Sequence, residues 1–311
     1  MQTDATAARY DIIVIGAGPA GLTAGMYATR QGLASAIVAG EIGGQAAWAG
    51  EIENYLGWQL VSGPELVRSF REHISQFELT CLEGQLANAI VPADDGGFDV
   101  FTREGTSLHA RAVIIATGRA PNRLAVPGEA ELIGRGVSYC ATCDAAFFRG
   151  QPVAVVGSTE SALDAALVLA GLDAAVTVVA TGPVKANDAI LDRVASSDAI
   201  TMVRGRTVTA IEGETRVTGL TVRDTATGAE ETLAVAGVFI ETGSIPVSEF
   251  TGGLVEMSDR GEIVVDRRCA TSTPGIYAAG DVTDGLGKQI IIAAGEGARA
   301  AIAAARDLKR Q

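Results

Sequence analysis

Asp11-Ile12-Ile13-Val14-Ile15-Gly16-Ala17-Gly18-Pro19-Ala20-Gly21 is the stretch that decides the fold. A short apolar run ends in glycine and leads into a helix-like segment from Pro19 to Gln31 that stops at Gly32. Strand, glycine turn and helix in that order are the context that gives G-x-G-x-x-G a mechanical meaning. Gly16 permits the tight turn, Gly18 lets backbone approach a pyrophosphate, and Gly21 lets helix and strand pack closely. The helix start at Pro19 and Ala20 turns oriented N–H groups toward an anion. The motif alone does not separate FAD from NAD.

Working outward, a second unit of the same kind begins at Val153-Ala154-Val155-Val156-Gly157. It continues as a helical stretch from Ser161 to Ala170, stops at Gly171 and returns as the strand Ala175 to Val179. Segments around Phe98–Phe101 and Gly219–Val222 read as small antiparallel meanders packed on each parallel sheet. Val113-Ile114-Ile115-Ala116-Thr117-Gly118 and Val238-Phe239-Ile240-Glu241-Thr242-Gly243 are apolar strands ending in Thr-Gly on either side of the second unit, as crossing points between domains would be. Near the far end, Tyr277-Ala278-Ala279-Gly280-Asp281 is a short strand ending in Gly-Asp, followed by a helical stretch from Gln289 to about Leu308. In flavoproteins with two dinucleotide folds such an Asp receives the ribityl hydroxyls of FAD, and the helix dipole beside the ring stabilises the anionic reduced flavin. FAD is therefore expected in the first site.

The chain has 311 residues, enough for about two domains. A net charge of −13 with only three lysines leaves no electrostatic footprint for nucleic acid or an anionic membrane. No apolar run reaches the length of a membrane span and the N-terminus lacks signal-peptide character, so a cytoplasmic protein is expected. Four cysteines are too few for a disulfide framework in a chain this long.

Two of them form Cys140-Ala141-Thr142-Cys143-Asp144, one helical turn apart and beside an acid. A helix starting there stabilises a thiolate, the spacing permits an internal disulfide, and the adjacent carboxyl can shuttle a proton. Half of a zinc site is the rival reading. No second C-x-x-C exists, and His73 and His109 sit in no ligand pattern, so no metal is expected. Cys81 and Cys269 read as small buried apolar residues.

From end to end the chain resembles the low-molecular-weight thioredoxin reductase family and, closely related, the C-terminal part of the flavoprotein component of alkyl hydroperoxide reductase. The matching segments are Gly16 to Gly21, Gly43-Gly44-Gln45, Glu53-Asn54-Tyr55, Ala116-Thr117-Gly118, Cys140 to Asp144, Gly280-Asp281-Val282, Lys288-Gln289-Ile290 and Ala294-Gly295-Glu296-Gly297. The resemblance implies two Rossmann-like three-layer ββα nucleotide-binding domains. Residues 1 to 115 and 244 to 311 would bind FAD, and residues 116 to 243 would be inserted and carry the cysteines. It implies a homodimer, a thioredoxin-like partner, Cys143 next to the flavin, Cys140 attacking the substrate disulfide and Asp144 as general acid. FAD would lie along Gly16, Gly18, Pro19 and Ala20, then Gly40, Glu41, Gly44, Gln45, Asn54 and Leu86. It would continue past Thr117 and Gly118 to Gly280, Asp281, Lys288, Gln289 and Ile290.

The second loop departs from the family pattern. Gly157-Ser158-Thr159-Glu160-Ser161-Ala162 has Thr159 where the second glycine belongs, so a branched side chain stands where a pyrophosphate must approach. Glu160 adds negative charge at the helix start. Val178 to Lys185 offers neither an arginine cluster for a 2′-phosphate nor an acid for ribose hydroxyls. Weak or absent NAD(P)H binding is expected, with electrons from ferredoxin, flavodoxin or a second flavin. This pattern resembles the ferredoxin-dependent flavin thioredoxin reductases and the diflavin-linked disulfide oxidoreductases. An acidic ferredoxin would need a basic patch, for which Arg119, Arg123, Arg135, Arg149, Arg204 and Arg206 are the candidates. The alternatives are an NAD(P)H-dependent thioredoxin reductase with an atypical loop, a dioxygen-linked thiol oxidase and a non-catalytic redox sensor.

Overall fold

The computed structural model describes residues 8–49 and 51–310. It begins with β1 (Ala8–Ala17), α1 (Pro19–Arg30), β2 (Ser35–Ile42), α2 (Gly63–Ile74), β3 (Leu79–Glu83), β4 (Ala87–Pro92), β5 (Phe98–Thr102) and β6 (Ser107–Ile115). These strands form one sheet in the order β3-β2-β1-β6-β5-β4, parallel from β3 to β6 and antiparallel through β5 and β4. Ile12, Ile13 and Val14 of β1 have no exposed surface, because layers cover both faces of a central parallel strand.

The chain then crosses through β7 (Arg119–Pro121) into β8 (Val137–Ser138), α3 (Ala141–Asp144), β9 (Pro152–Val156), α4 (Glu160–Ala170), β10 (Ala175–Ala180), α5 (Asp188–Ala195) and β11 (Ile200–Arg204). There follow β12 (Arg206–Glu212), β13 (Gly219–Asp224), β14 (Glu230–Leu233) and β15 (Gly237–Ile240). A second parallel sheet runs β11-β10-β9-β15-β8, and β12-β13-β14 form an antiparallel sheet. Val208, Leu220 and Val222 of that antiparallel sheet pack against Ala154, Val156 and Val238 of the parallel one. The chain returns through β16 (Ser244–Pro246), which pairs antiparallel with β7, then adds β17 (Ile276–Ala278) to the first sheet and ends in α6 (Ile290–Leu308).

Strand β6 carries two partners on one edge. Its first half pairs with β5, as Phe98 opposite Ala110, and its second half with β17, as Tyr277 opposite Ile114. Since Ile115 also pairs with Ile15, the carboxyl ends of β1, β6 and β17 finish side by side. Segments more than 250 residues apart in sequence thus meet in one crevice, where open α/β sheets bind ligands.

Helices α1 and α6 pack over one face on small residues, with Ala20, Ala24, Ala28, Ala300, Ala301 and Ala304 buried in one cluster. A Cβ at Gly297 would lie 2.0 Å from the Ala20 carbonyl oxygen, and one at Gly21 would lie 1.8 Å from that of Gly16. Gly297→Ala is expected to force the helices apart and cost about 1–3 kcal/mol. Denaturant unfolding of the variant checks this, and an unchanged midpoint would contradict the close packing.

Candidate functional site

A cleft of about 930 Å³ opens at the carboxyl ends of β1, β2 and β6 and reaches the cysteine pair. Gly16 sits at φ +106°, and a Cβ there would lie 2.3 Å from the Ala116 carbonyl oxygen, so only glycine makes this turn. Gly18 caps α1 without any side chain, and the first turn of α1 holds no acid, which leaves its amides facing the cleft. Pro19 and Ala20 line the same mouth. At the end of β2, a Cβ at Gly40 would come within 2.8 Å of the Leu86 side chain, and Glu41 follows it exposed at the rim. Gly44 backs onto Gly18, and Gln45 Nε2 donates to the Arg119 carbonyl at 2.6 Å. Thr117 Oγ1 donates to the Val247 carbonyl at 2.6 Å, with Gly118 beside it at φ +66°.

On the opposite wall, beyond Gly280, the Asp281 carboxylate has no hydrogen-bond partner among the described residues. Burial raises its pKa, against the pull of Lys288 and Arg119. A carboxylate left free in a cleft wall, a bare helix start and glycines that keep the floor open fit the ribityl chain and pyrophosphate of FAD. Lys288 lines the cleft, but its ammonium is committed to the carbonyls of Thr283 at 2.6 Å and Gly285 at 2.9 Å. It therefore shapes the loop after Asp281. Ile290 starts α6 against the same cleft.

The cysteine pair closes the inner end of the cleft. Cys140 and Cys143 form a disulfide with Cα atoms 5.3 Å apart. Gln289 Nε2 lies 4.0 Å from Cys143 Sγ while its Oε1 accepts from Asn54 Nδ2 at 3.0 Å. Cys143 is thus the sulfur that faces the first domain. Asp144 Oδ2 accepts from Ser138 Oγ at 2.5 Å, whereas Oδ1 is buried with no partner. Burial pushes the Asp144 carboxyl up to about 6, with the Ser138 hydrogen bond opposing it. The expected helix after Cys140 is a single turn, so hydrogen bonds around the pair matter more than a long dipole. Cys269 is buried and its thiol is raised to about 11, but Cys81 stands exposed on the edge strand β3, contrary to the buried expectation. No cluster of His, Cys, Asp or Glu that could hold a metal occurs among the described residues.

In the second unit, a Cβ at Gly157 would lie 2.5 Å from the Glu241 carbonyl oxygen, so this glycine serves strand packing. Thr159 caps α4 in extended conformation with no side-chain cap hydrogen bond. Glu160 is tied to Asn187, accepting from its backbone N at 3.3 Å and its Nδ2 at 3.0 Å. Ala180 at the end of β10 is fully buried. Glu241, at the end of β15, turns its carboxylate to Ser161 of α4 and to the backbone of Ala141. Two carboxylates therefore surround the helix start that a nucleotide phosphate would use. Glu241 and Ser138 escaped sequence reasoning; the one signal for Glu241 was a charge at the end of an apolar strand.

The arginines proposed as a basic patch are largely spoken for. Arg119 forms a half-buried ion pair with Glu262 at 2.8 Å, and Arg206 pairs with Asp224 at 2.5 Å and Glu231 at 3.3 Å. Arg123 lies over the Trp48 ring, and Arg149 approaches Asp173 at 4.0 Å.

The sequence profile of the pyridine nucleotide-disulphide oxidoreductases matches residues 10–297, and the chain belongs to that family. Its fold is that of the thioredoxin reductase-type flavin disulfide oxidoreductases. Thioredoxin reductase from Streptococcus pyogenes superposes with a TM-score of 0.92 at 37% identity, over 98% of this chain and 100% of that one. An alkyl hydroperoxide reductase component from Pseudomonas putida is 40% identical over 298 residues, 95% of this chain and 57% of that protein. A Bacillus subtilis protein named NADH dehydrogenase is 38% identical over 296 residues, again 95% of this chain but 58% of its own length. The chain thus spans little more than half of these curated relatives. Among the described residues no helix is long and apolar enough to cross a membrane.

Asp144 holds its proton below about pH 6 and loses it above. If that proton serves the leaving thiol, disulfide reduction should decline as pH rises through about 6. Asp144→Asn, which retains a hydrogen-bond partner for Ser138, should slow the step by about 10²-fold and flatten that limb. Rapid-mixing rates across pH check this; an unchanged profile would remove Asp144 from proton transfer.

Proposed function

We propose that this chain passes electrons between bound FAD and a thioredoxin-like disulfide protein through Cys140 and Cys143, drawing on a donor other than NAD(P)H. The contact of Gln289 with Cys143 Sγ at 4.0 Å carries the first part. It sets one sulfur toward the flavin cleft and leaves Cys140 to exchange with a partner. The glycine loop, Glu41, Asn54 and Asp281 would hold FAD, which would supply two-electron exchange with the disulfide. The protein's own residues then handle sulfur and proton. A Cys140 thiolate attacks the partner disulfide, Cys143 resolves the mixed disulfide, and Asp144 gives a proton to the departing thiol.

The donor reading rests on Thr159, Glu160, Glu241 and Ala180, which leave the second crevice acidic and without a grip for a ribose or 2′-phosphate. A second flavin is favoured over an acidic donor protein, since Arg119 and Arg206 of the candidate docking patch are already paired with acids. A homodimer is part of the same proposal. The names of the family and of the Bacillus subtilis relative support the second reading, ordinary nicotinamide dependence. Anaerobic stopped-flow mixing of the flavin-loaded protein with NADPH or NADH separates the two. Flavin absorbance should persist for many seconds with either nucleotide, and rapid full bleaching by one of them would establish it as the donor.

A further inference from the structure

Glu241 has no assigned part in the chemistry above, yet its carboxylate joins the second glycine loop to the redox pair. Oε2 accepts from Ser161 Oγ at 2.7 Å, in the first turn of α4. Oε1 accepts from the backbone N of Ala141 at 3.4 Å, the first amide after Cys140. Glu241, Ser161, Cys140, Cys143 and Asp144 all line the same cleft. Both Cys143 N and Asp144 N donate to the Cys140 carbonyl at 3.1 Å, while the Ala141 amide of the same turn is committed to the Glu241 carboxylate. Burial raises the Glu241 pKa, and the hydrogen bonds from Ser161 and Ala141 pull against that rise.

We infer that Glu241 is a positioning residue that keeps the Cys140–Cys143 couple strongly reducing, with Ser161 of the second glycine loop holding it in place. The inference rests on the cysteine pair being the redox couple proposed above. A negative charge beside the turn, and an amide withdrawn from the sulfur, both disfavour a thiolate. A dithiol whose thiolate is less stabilised is a weaker oxidant and a better reductant, which suits export of electrons to a partner disulfide. Asp144, on the other flank, is the second carboxyl acting on the pair, and its proton is assigned to the leaving thiol. Reduction balances as the enzyme disulfide plus a dithiol giving two enzyme thiols plus the oxidised dithiol. One S–S bond breaks, one forms, and two protons move with the electron pair.

Equilibration with dithiothreitol buffers, read by thiol alkylation and mass spectrometry, measures the couple without any turnover assay. Glu241→Gln removes the charge while its amide oxygen still accepts from Ala141 N and its Nε2 donates to the Ser161 hydroxyl. It should raise the equilibrium constant for reduction by about tenfold, equal to about 30 mV for a two-electron couple. Ser161→Ala should shift the constant the same way by a smaller factor, and the double variant should match Glu241→Gln alone. A constant unmoved by Glu241→Gln, or a Ser161→Ala effect that adds to it in full, would overturn the inference. A wild-type pair that takes up no electrons from dithiothreitol would instead overturn the proposed function.

Discussion

The pairing of β17 with the second half of β6 is the constraint on which the site depends. It is three residues long, Ile276 to Ala278 against Val113 to Ile115, and it brings the returning chain back into the sheet that the N-terminus began. Because β1 flanks the same residues of β6 on the other edge, Gly16, Thr117 and Asp281 all emerge at one level. Backbone hydrogen bonds fix that level to within a residue, since a slip by one would turn every buried side chain of β17 to the wrong face. Ile276, Tyr277 and Ala278 are all buried, which holds the register.

Everything between the two visits to this sheet hangs from a narrow attachment. β7 and β16 cross side by side, laced by Asn122 and Thr242 donating to each other's carbonyls at 3.1 and 2.7 Å. Arg119 anchors the crossing through Ser244 and the half-buried Glu262 carboxylate. Beyond it the contacts between the units are sparse, among them Gln289 with Cys143 and Arg123 over Trp48. The redox pair is therefore joined to the first sheet by a few polar contacts at its sulfur end and the crossing of two short strands.

Much of this was legible from local pattern. The run Ile12 to Gly21 and the run Val153 to Gly157 each combine an apolar strand with a glycine stop and a helix, and the strands and helices formed where those patterns lie. The Thr-Gly segments did precede the crossing strands. Other features were illegible because they depend on what packs across from a residue. Cys81 is exposed because β3 is the edge of its sheet, a fact of strand order that no neighbour in sequence reports. The binding of Lys288 by two carbonyls follows from how the loop Thr283–Gly285 folds back.

By itself, the sequence determined the two strand–glycine–helix units, the cysteine spacing and the absence of glycine at Thr159, because backbone freedom and helical periodicity are local properties. Tertiary structure alone decided how Asp144 comes to have one buried oxygen without a partner, and that Glu241 reaches Ala141, 100 residues away. Those outcomes depend on desolvation and on donors supplied by distant strands, and both exist only once the sheets are assembled.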